Sequence, residues 1–216
     1  MNGEPPSQAQ LAAIGDAFVR ELAALGRVRS YPRSTVFITE GDSSDTLFVI
    51  LSGKVKAFVS DSEGHELILN TQGAGEYVGE MALDGKPRSA SVVTLEPSTF
   101  SVVQREPLRE AIRRNPDFAL DMIAKVIERA RESTENVKNL ALLDVYGRVA
   151  RLLLNMAVET EGKLRIPDKL TQQEIAERVG ASRDMVSRIF RDLTIGGYIT
   201  VENRYITINK KPPARW

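Results

Sequence analysis

From Thr171 to Leu193 two short amphipathic segments flank a single glycine, and few folds accommodate that spacing. Thr171 and Glu174 form the Thr-x-x-Glu capping box that opens a helix, the hydroxyl and the carboxylate each accepting from a backbone N–H at the helix start. Gly180 then supplies a turn residue free to take positive φ, and Ala176 is small enough to sit where two helices cross steeply. A second helix is expected from Ser182 or Arg183. It divides into a packing face of Met185, Val186, Ile189, Phe190 and Leu193 and a polar face of Arg183, Asp184, Ser187, Arg188 and Arg191. A solvated surface is the common fate of such a polar face. Combined with the capping box, the small crossing residue and the glycine turn, however, it points to a helix-turn-helix whose polar side reads DNA. Arg183 and Arg188 each match the O6 and N7 acceptors of guanine, a contact of roughly 1–3 kcal/mol in discrimination, and Asp184 can accept from a cytosine amino group. Tyr198 to Ile208 then reads as strand, short turn, strand, the pattern of a wing behind the recognition helix.

Charge supports a polyanion partner at this end of the chain. The 216 residues are neutral overall, yet residues 145–216 hold 13 Lys and Arg against 8 Asp and Glu, a net of +5 that leaves −5 for the rest. Cysteine is absent, which removes disulfides, iron–sulfur clusters and thiol chemistry together, and the single His65 offers little for a metal site. His65 lies in Asp61-Ser62-Glu63-Gly64-His65 and reads as an exposed turn residue. No run approaches the roughly 20 apolar residues that span a bilayer, and no basic flank precedes an apolar stretch at the start. The expectation is a soluble, cytoplasmic protein with no membrane partner.

The N-terminal half has a different texture. Leu11, Ile14, Phe18, Leu22 and Leu25 recur at helical steps and suggest one short leading helix. From Thr35 to Val103, runs such as Leu47-Phe48-Val49-Ile50-Leu51 alternate with turn glycines, the pattern of a compact antiparallel β-barrel or roll. Asn115-Pro116-Asp117 then announces a long helix to about Leu143, with Asn115 as cap and Pro116 at the first position. Its heptad seam is Ala119, Ile123, Val126, Ala130, Ser133, Val137 and Leu140, which favours a parallel dimer helix over packing onto the chain's own roll. Ser133 and Thr134 interrupt that seam with hydroxyls. Asp144 reads as a fresh N-cap before Val145, Val149, Leu152, Leu153 and Met156. The fold class is therefore α+β, with a sensor domain over residues 1–115, a dimerisation helix over 116–143 and a winged helix-turn-helix over 144–216.

The densest chemistry of the roll is Gly79-Glu80-Met81-Ala82-Leu83-Asp84-Gly85-Lys86-Pro87-Arg88-Ser89-Ala90-Ser91. A glycine lets backbone approach an anion, and the short helical turn after it points free N–H groups at that anion. Arg88 can neutralise a phosphate, Ser89 can donate to it, and Glu80 can accept from a ribose hydroxyl. Glu80 and Arg88 can equally form a structural ion pair, so chemistry alone leaves both readings open.

The stretches Gly-Glu-Met-Ala-Leu…Pro-Arg-Ser-Ala, Asn139 to Arg148 and Gln173-Glu174-Ile175…Val179-Gly180-Ala181-Ser182-Arg183-Asp184 together resemble the cyclic-AMP receptor protein/FNR family of bacterial transcription regulators, over residues 10 to 208. The resemblance implies a cyclic-nucleotide-binding jelly roll and a homodimer paired through the long helix. It implies a ligand-facing set of Gly79, Glu80, Met81, Arg88 and Ser89, with Ser133 and Thr134 on the purine edge, one hydroxyl from each subunit. The DNA-facing set it implies is Thr171, Gln172, Gln173, Ser182, Arg183, Asp184, Ser187 and Arg188. Three departures stand out: the segment from Glu80 to Arg88 is one or two residues shorter than in well-known cyclic-AMP binders, Asp184 stands where the best-known member has Glu, and Met185 replaces a hydroxyl residue. The leading expectation is a non-enzymatic regulator with cyclic AMP as effector and a palindromic double-stranded operator as partner. Cyclic di-GMP or no effector at all is the nearest alternative. A nucleotide-processing enzyme built on Glu80, Asp84 and Arg88, or a nucleoid protein with little sequence preference, belongs to other classes. The loop Glu159-Thr160-Glu161-Gly162-Lys163 resembles the place where relatives touch RNA polymerase, although a plain surface loop is the commoner explanation.

Overall fold

The computed structural model describes residues 3–160 and 162–213, and the chain divides into two compact units, Met1–Arg129 and Ala130–Trp216. In the first unit, β1 (Arg27–Tyr31), β8 (Ser98–Gln104), β3 (Thr46–Ser52) and β6 (Tyr77–Val78) form one antiparallel sheet in that order. A second antiparallel sheet runs β2 (Val36–Ile38), β7 (Ser91–Thr94), β4 (Lys54–Ser60), β5 (Glu66–Gly73). The expected β-roll is present. Strand β3 shows why its sequence is apolar at every position from Leu47 to Leu51: side chains alternate faces along a strand, and here both faces are covered. Leu47, Val49 and Leu51 join the cluster that also holds Ile14, Phe18 and Leu22, while Phe48 and Ile50 join the one with Ile38, Val55 and Phe100.

The apolar period over Leu11–Leu25 builds two helices instead of the single one expected, α1 (Gln8–Ala12) and α2 (Ala17–Ala24). Asp16 is the reason: its carboxylate accepts from the Val19 N–H at 3.2 Å and starts a new helix just after Gly15. Helix α3 (Arg105–Arg114) was not legible from periodicity, since Leu108 is its only buried residue; its charges are placed well, with Glu106 in the first turn and Arg113 and Arg114 in the last. Asn115 ends α3 as its C-cap, and its backbone carbonyl, not its side chain, accepts from the Phe118 N–H at 3.1 Å. Helix α4 (Asp117–Leu142) follows, and Phe118 is its only buried residue.

In the second unit, Asp144 caps α5 (Val145–Met156) by accepting from the Gly147 N–H at 2.7 Å. The segment expected as a loop is a hairpin, β9 (Val158–Thr160) and β10 (Lys163–Arg165); Glu161 lies outside the described residues. Then come α6 (Gln172–Val179), α7 (Arg183–Ile195), β11 (Ile199–Glu202) and β12 (Tyr205–Ile208), the sheet order being β11-β12-β10-β9. Val149, Leu153, Ile175, Val186, Leu193 and Ile199 centre one core, so the helix-turn-helix and the wing share it. Among the described residues no helix is long and apolar enough to cross a membrane.

Candidate effector cavity and DNA-reading face

Strand β6 is followed by Gly79, whose φ of +89° only glycine adopts without strain. A Cβ there would lie 2.6 Å from Arg88 Nη1 and 3.2 Å from the Thr46 carbonyl oxygen. The close approach has a purpose: Arg88 Nη1 donates to the Gly79 carbonyl at 2.7 Å, and Nη2 donates to the Thr46 carbonyl at 2.7 Å and to Ser44 Oγ at 2.8 Å. Arg88 is thus buried and anchored to β3, with its Nε–H outside those bonds. Burial pulls its pKa below the ordinary arginine value, opposed by the charges of Glu80, Asp45 and Asp42.

Glu80 opens a 3-10 turn over Glu80–Asp84. Its ion-pair partner is Arg129 of α4, at 2.8 Å, and not Arg88 as the sequence allowed. Arg129 also donates to the Tyr77 carbonyl at 2.6 Å and stands over the Tyr77 ring, 4.4 Å from its centroid. Burial pushes the Tyr77 phenol up to about 12, against the lowering effect of Arg129. Sequence reasoning missed Arg129, because nothing local distinguishes it from the other charges of α4. Ser89 Oγ donates to Met81 Sδ at 3.2 Å, and both residues are exposed.

These groups surround a cavity of about 100 Å³ that brings together Gly79, Glu80, Met81, Arg88 and Ser89 with Arg129. Asn70 and Gln72 of β5 line it too, and here a second omission of the sequence reading appears. Asn70 Oδ1 and Gln72 Oε1 are buried and accept no hydrogen bond. An unmet buried acceptor costs roughly 1–3 kcal/mol, and both oxygens are closed off from solvent. An anion that carries a hydroxyl fits: Arg88 and Ser89 supply positive charge and a donor, and Glu80 an acceptor. Ser133 and Thr134 belong to the other compact unit; both are exposed, and Thr134 Oγ1 donates to the Ala130 carbonyl at 2.9 Å.

The helix-turn-helix is built from short-range contacts. Thr171 Oγ1 accepts from the Glu174 N–H at 3.1 Å and Glu174 Oε2 accepts from the Thr171 N–H at 2.7 Å, completing the capping box. Gly180 caps α6 in the left-handed conformation at φ 61°. Arg148 of α5 reinforces that turn, donating through Nε to the Val179 carbonyl at 2.7 Å and through Nη1 to the Leu143 carbonyl at 2.9 Å. Ser182 caps α7 by accepting from the Met185 N–H at 3.3 Å. Val186, Ile189, Phe190 and Leu193 are buried, whereas Met185, expected on the packing face, is 41% exposed.

Arg183, Asp184 and Arg188 are exposed together, and Ser187 is half-buried beside them. Gln172, Gln173, Arg183, Ser187, Arg191 and Arg204 line a groove of about 720 Å³ between recognition helix and wing. Arg204 was not singled out in the sequence. It sits with Asn203 at the wing tip, at φ 69° and 51°, a turn that commonly takes Asn-Gly.

Two domain families match: the cyclic nucleotide-binding domain over residues 28–115 and the Crp-like helix-turn-helix domain over residues 147–212. The cAMP-activated global transcriptional regulator CRP of Escherichia coli O6:H1 is 34% identical over 187 residues, 84% of this chain and 89% of that protein. Among solved structures, the c-di-GMP-responsive global regulator CLP of Xanthomonas campestris superposes with a TM-score of 0.78 at 26% identity, covering 90% of this chain and 100% of that one. A CRP/FNR-family transcriptional regulator of Thermus thermophilus gives a TM-score of 0.70 at 25% identity, over 85% and 94% of the respective chains.

Proposed function

Because the chain belongs to the CRP/FNR family of transcription regulators, with a cyclic nucleotide-binding domain and a DNA-binding helix-turn-helix, we propose that it is a homodimeric regulator whose operator affinity is set by cyclic AMP. The observation that carries the effector assignment is the cavity at Arg88. It combines a buried guanidinium, the Ser89 hydroxyl and the Glu80 carboxylate, the set that complements a cyclic phosphate beside a ribose hydroxyl. Its volume of about 100 Å³ is well below the roughly 300–1,000 Å³ of common ligand sites, so even a mononucleotide has to open it, and a smaller effector asks less. The same contacts support binding rather than turnover. Glu80 is held by Arg129 and so is not an unengaged base, and Arg88 is held by backbone carbonyls.

The dimer rests on α4. Ile123, Val126, Val137 and Leu140 of the heptad seam are all more than two-fifths exposed in the single chain, an apolar stripe that a second copy of the helix would cover. In that arrangement Ser133 and Thr134 supply the hydroxyls on the purine side. The sensor then comprises residues 1–115, the dimer helix 116–143 and the reader 144–216. Two recognition helices spaced about 34–36 Å apart would enter successive major grooves of a palindromic operator, with Thr171, Gln172, Gln173 and Ser182 on phosphates and Arg183, Asp184, Ser187 and Arg188 on base edges. Its place of action is the cytoplasm, with the DNA, and the exposed β9–β10 hairpin is the surface offered to RNA polymerase.

Titration of cyclic AMP into the protein with a labelled palindromic operator tests the reading. A ligand shifts this equilibrium only through its differential affinity for the two conformers, so an effector changes operator affinity by at least several-fold. Unchanged affinity at saturating cyclic AMP would overturn the assignment. Cyclic di-GMP is the second reading, favoured by the short Glu80–Arg88 segment and by the similarity to the Xanthomonas regulator, and it takes the parallel arm of the same titration.

A further inference from the structure

We infer that Met81 is a redox-sensitive modification site, where conversion of its thioether to the sulfoxide weakens effector binding by taking up the Ser89 hydroxyl. This inference rests on the proposed binding of a cyclic nucleotide in the Arg88 cavity and concerns how that binding is controlled. Three observations carry it. Met81 lines the cavity yet is 62% exposed, so an oxidant in solution reaches it. Met185 is 41% exposed and Met122 and Met156 are half-buried, which makes Met81 the most accessible thioether among the described residues. The chain has no cysteine to consume an oxidant first. Finally, Ser89 Oγ donates to Met81 Sδ at 3.2 Å, so the hydroxyl assigned to the cyclic phosphate is already engaged by this sulfur.

The chemistry gives the direction of the effect. A thioether is a weak acceptor, so a phosphate oxygen draws the Ser89 hydroxyl away from it at little cost. A hydroperoxide changes that: its O–O bond breaks, an S–O bond forms at Sδ, and water or the alcohol leaves. The sulfur is oxidised by two electrons and the peroxide is reduced by two. The product carries a polar S–O oxygen within reach of the same hydroxyl. Ser89 is then held by a strong acceptor, and the negative end of the S–O dipole stands beside the place of the phosphate. Both changes oppose the anion. Methionine sulfoxide is returned to the thioether by reductases, one for each epimer, so the change is reversible.

Calorimetry on the full chain before and after hydrogen peroxide tests this, with cyclic AMP and cyclic di-GMP as probes and peptide mass spectrometry to locate the sulfoxide. Met81 should be oxidised ahead of Met122 and Met156. Affinity for whichever probe binds should then fall about fivefold, the size of one ordinary hydrogen bond, and return after treatment with the two reductases. In Met81→Leu the same peroxide treatment should change affinity by less than about twofold, and in Ser89→Ala by less than in the parent, since no hydroxyl is left to capture. Unchanged affinity with Met81 fully oxidised, an equal loss in Met81→Leu, or oxidation of Met122 and Met156 ahead of Met81 would overturn the inference while leaving cyclic-nucleotide binding intact. If the untreated protein binds neither probe, the cyclic-nucleotide reading falls and this inference with it.

Discussion

Replacing Gly79 by alanine tests the architecture of the cavity at its tightest point. At φ +89° a residue with a Cβ carries strain of about 1–3 kcal/mol. The new methyl would lie 2.6 Å from Arg88 Nη1, so the guanidinium must also retreat. It is held on the far side by the Thr46 carbonyl at 2.7 Å and Ser44 Oγ at 2.8 Å, and retreat therefore weakens at least one hydrogen bond to a charged group, about 1.5–3 kcal/mol. The expected destabilisation is about 2.5–6 kcal/mol, read by urea unfolding followed by circular dichroism at one fixed protein concentration, since a dimer's midpoint moves with concentration. A double-mutant cycle separates the two causes. In an Arg88→Met background the clash partner is absent, so Gly79→Ala should cost only the backbone strain, and the coupling should exceed about 1 kcal/mol. If Gly79→Ala changes stability by less than about 0.5 kcal/mol, or if the cycle is additive, the close packing of Arg88 on Gly79 is not what holds this turn.

Other substitutions test the remaining elements. Arg188→Ala removes an exposed guanidinium from the reading face, and operator affinity measured by fluorescence anisotropy should fall by about 5–150-fold while binding to random DNA changes much less. Thr171→Val deletes the hydroxyl half of the capping box and should cost about 1 kcal/mol in urea unfolding, with Thr171→Ser restoring most of it. His65 is the only histidine, so proton NMR can follow it alone: its hydrogen bond to Asp61 at 3.0 Å raises its pKa above 6.5, and Asp61→Asn should move the titration back down. Since the raised value belongs to the folded state, the pairing contributes below the unfolded pKa and is lost as pH rises through the folded one.

The helix-turn-helix was legible almost residue by residue. Its capping box, the left-handed Gly180 and the division of α7 into faces are all relations between residues at most a few positions apart. Such relations are written in order along the chain, and they hold in nearly any surroundings. Met185 is the exception on that helix, because its exposure depends on where the core around α5 and β11 ends. The leading helices show the same limit: the apolar period was correct, but one side-chain cap at Asp16 divided it in two.

The effector cavity was legible as a set of residue types and not as a set of contacts. The glycine, carboxylate, arginine and serine of the 79–89 segment are a local motif, and their chemistry pointed to an anion from sequence alone. Which groups they engage was decided by tertiary structure. Arg88 turns to the Thr46 carbonyl on β3 and the Ser44 hydroxyl beside it, more than 40 positions earlier, and Glu80 finds Arg129 on α4, 49 positions later. Asn70 and Gln72 join the lining of the same cavity only through the register of β5. By itself the sequence determined most of the folded elements, α3 and the β9–β10 hairpin excepted, and the chemical character of each site, since periodicity, caps and turn residues act over a few residues. The pairing of charges and the unmet acceptors were decided by strand register and helix packing, which bring together groups that no local pattern connects.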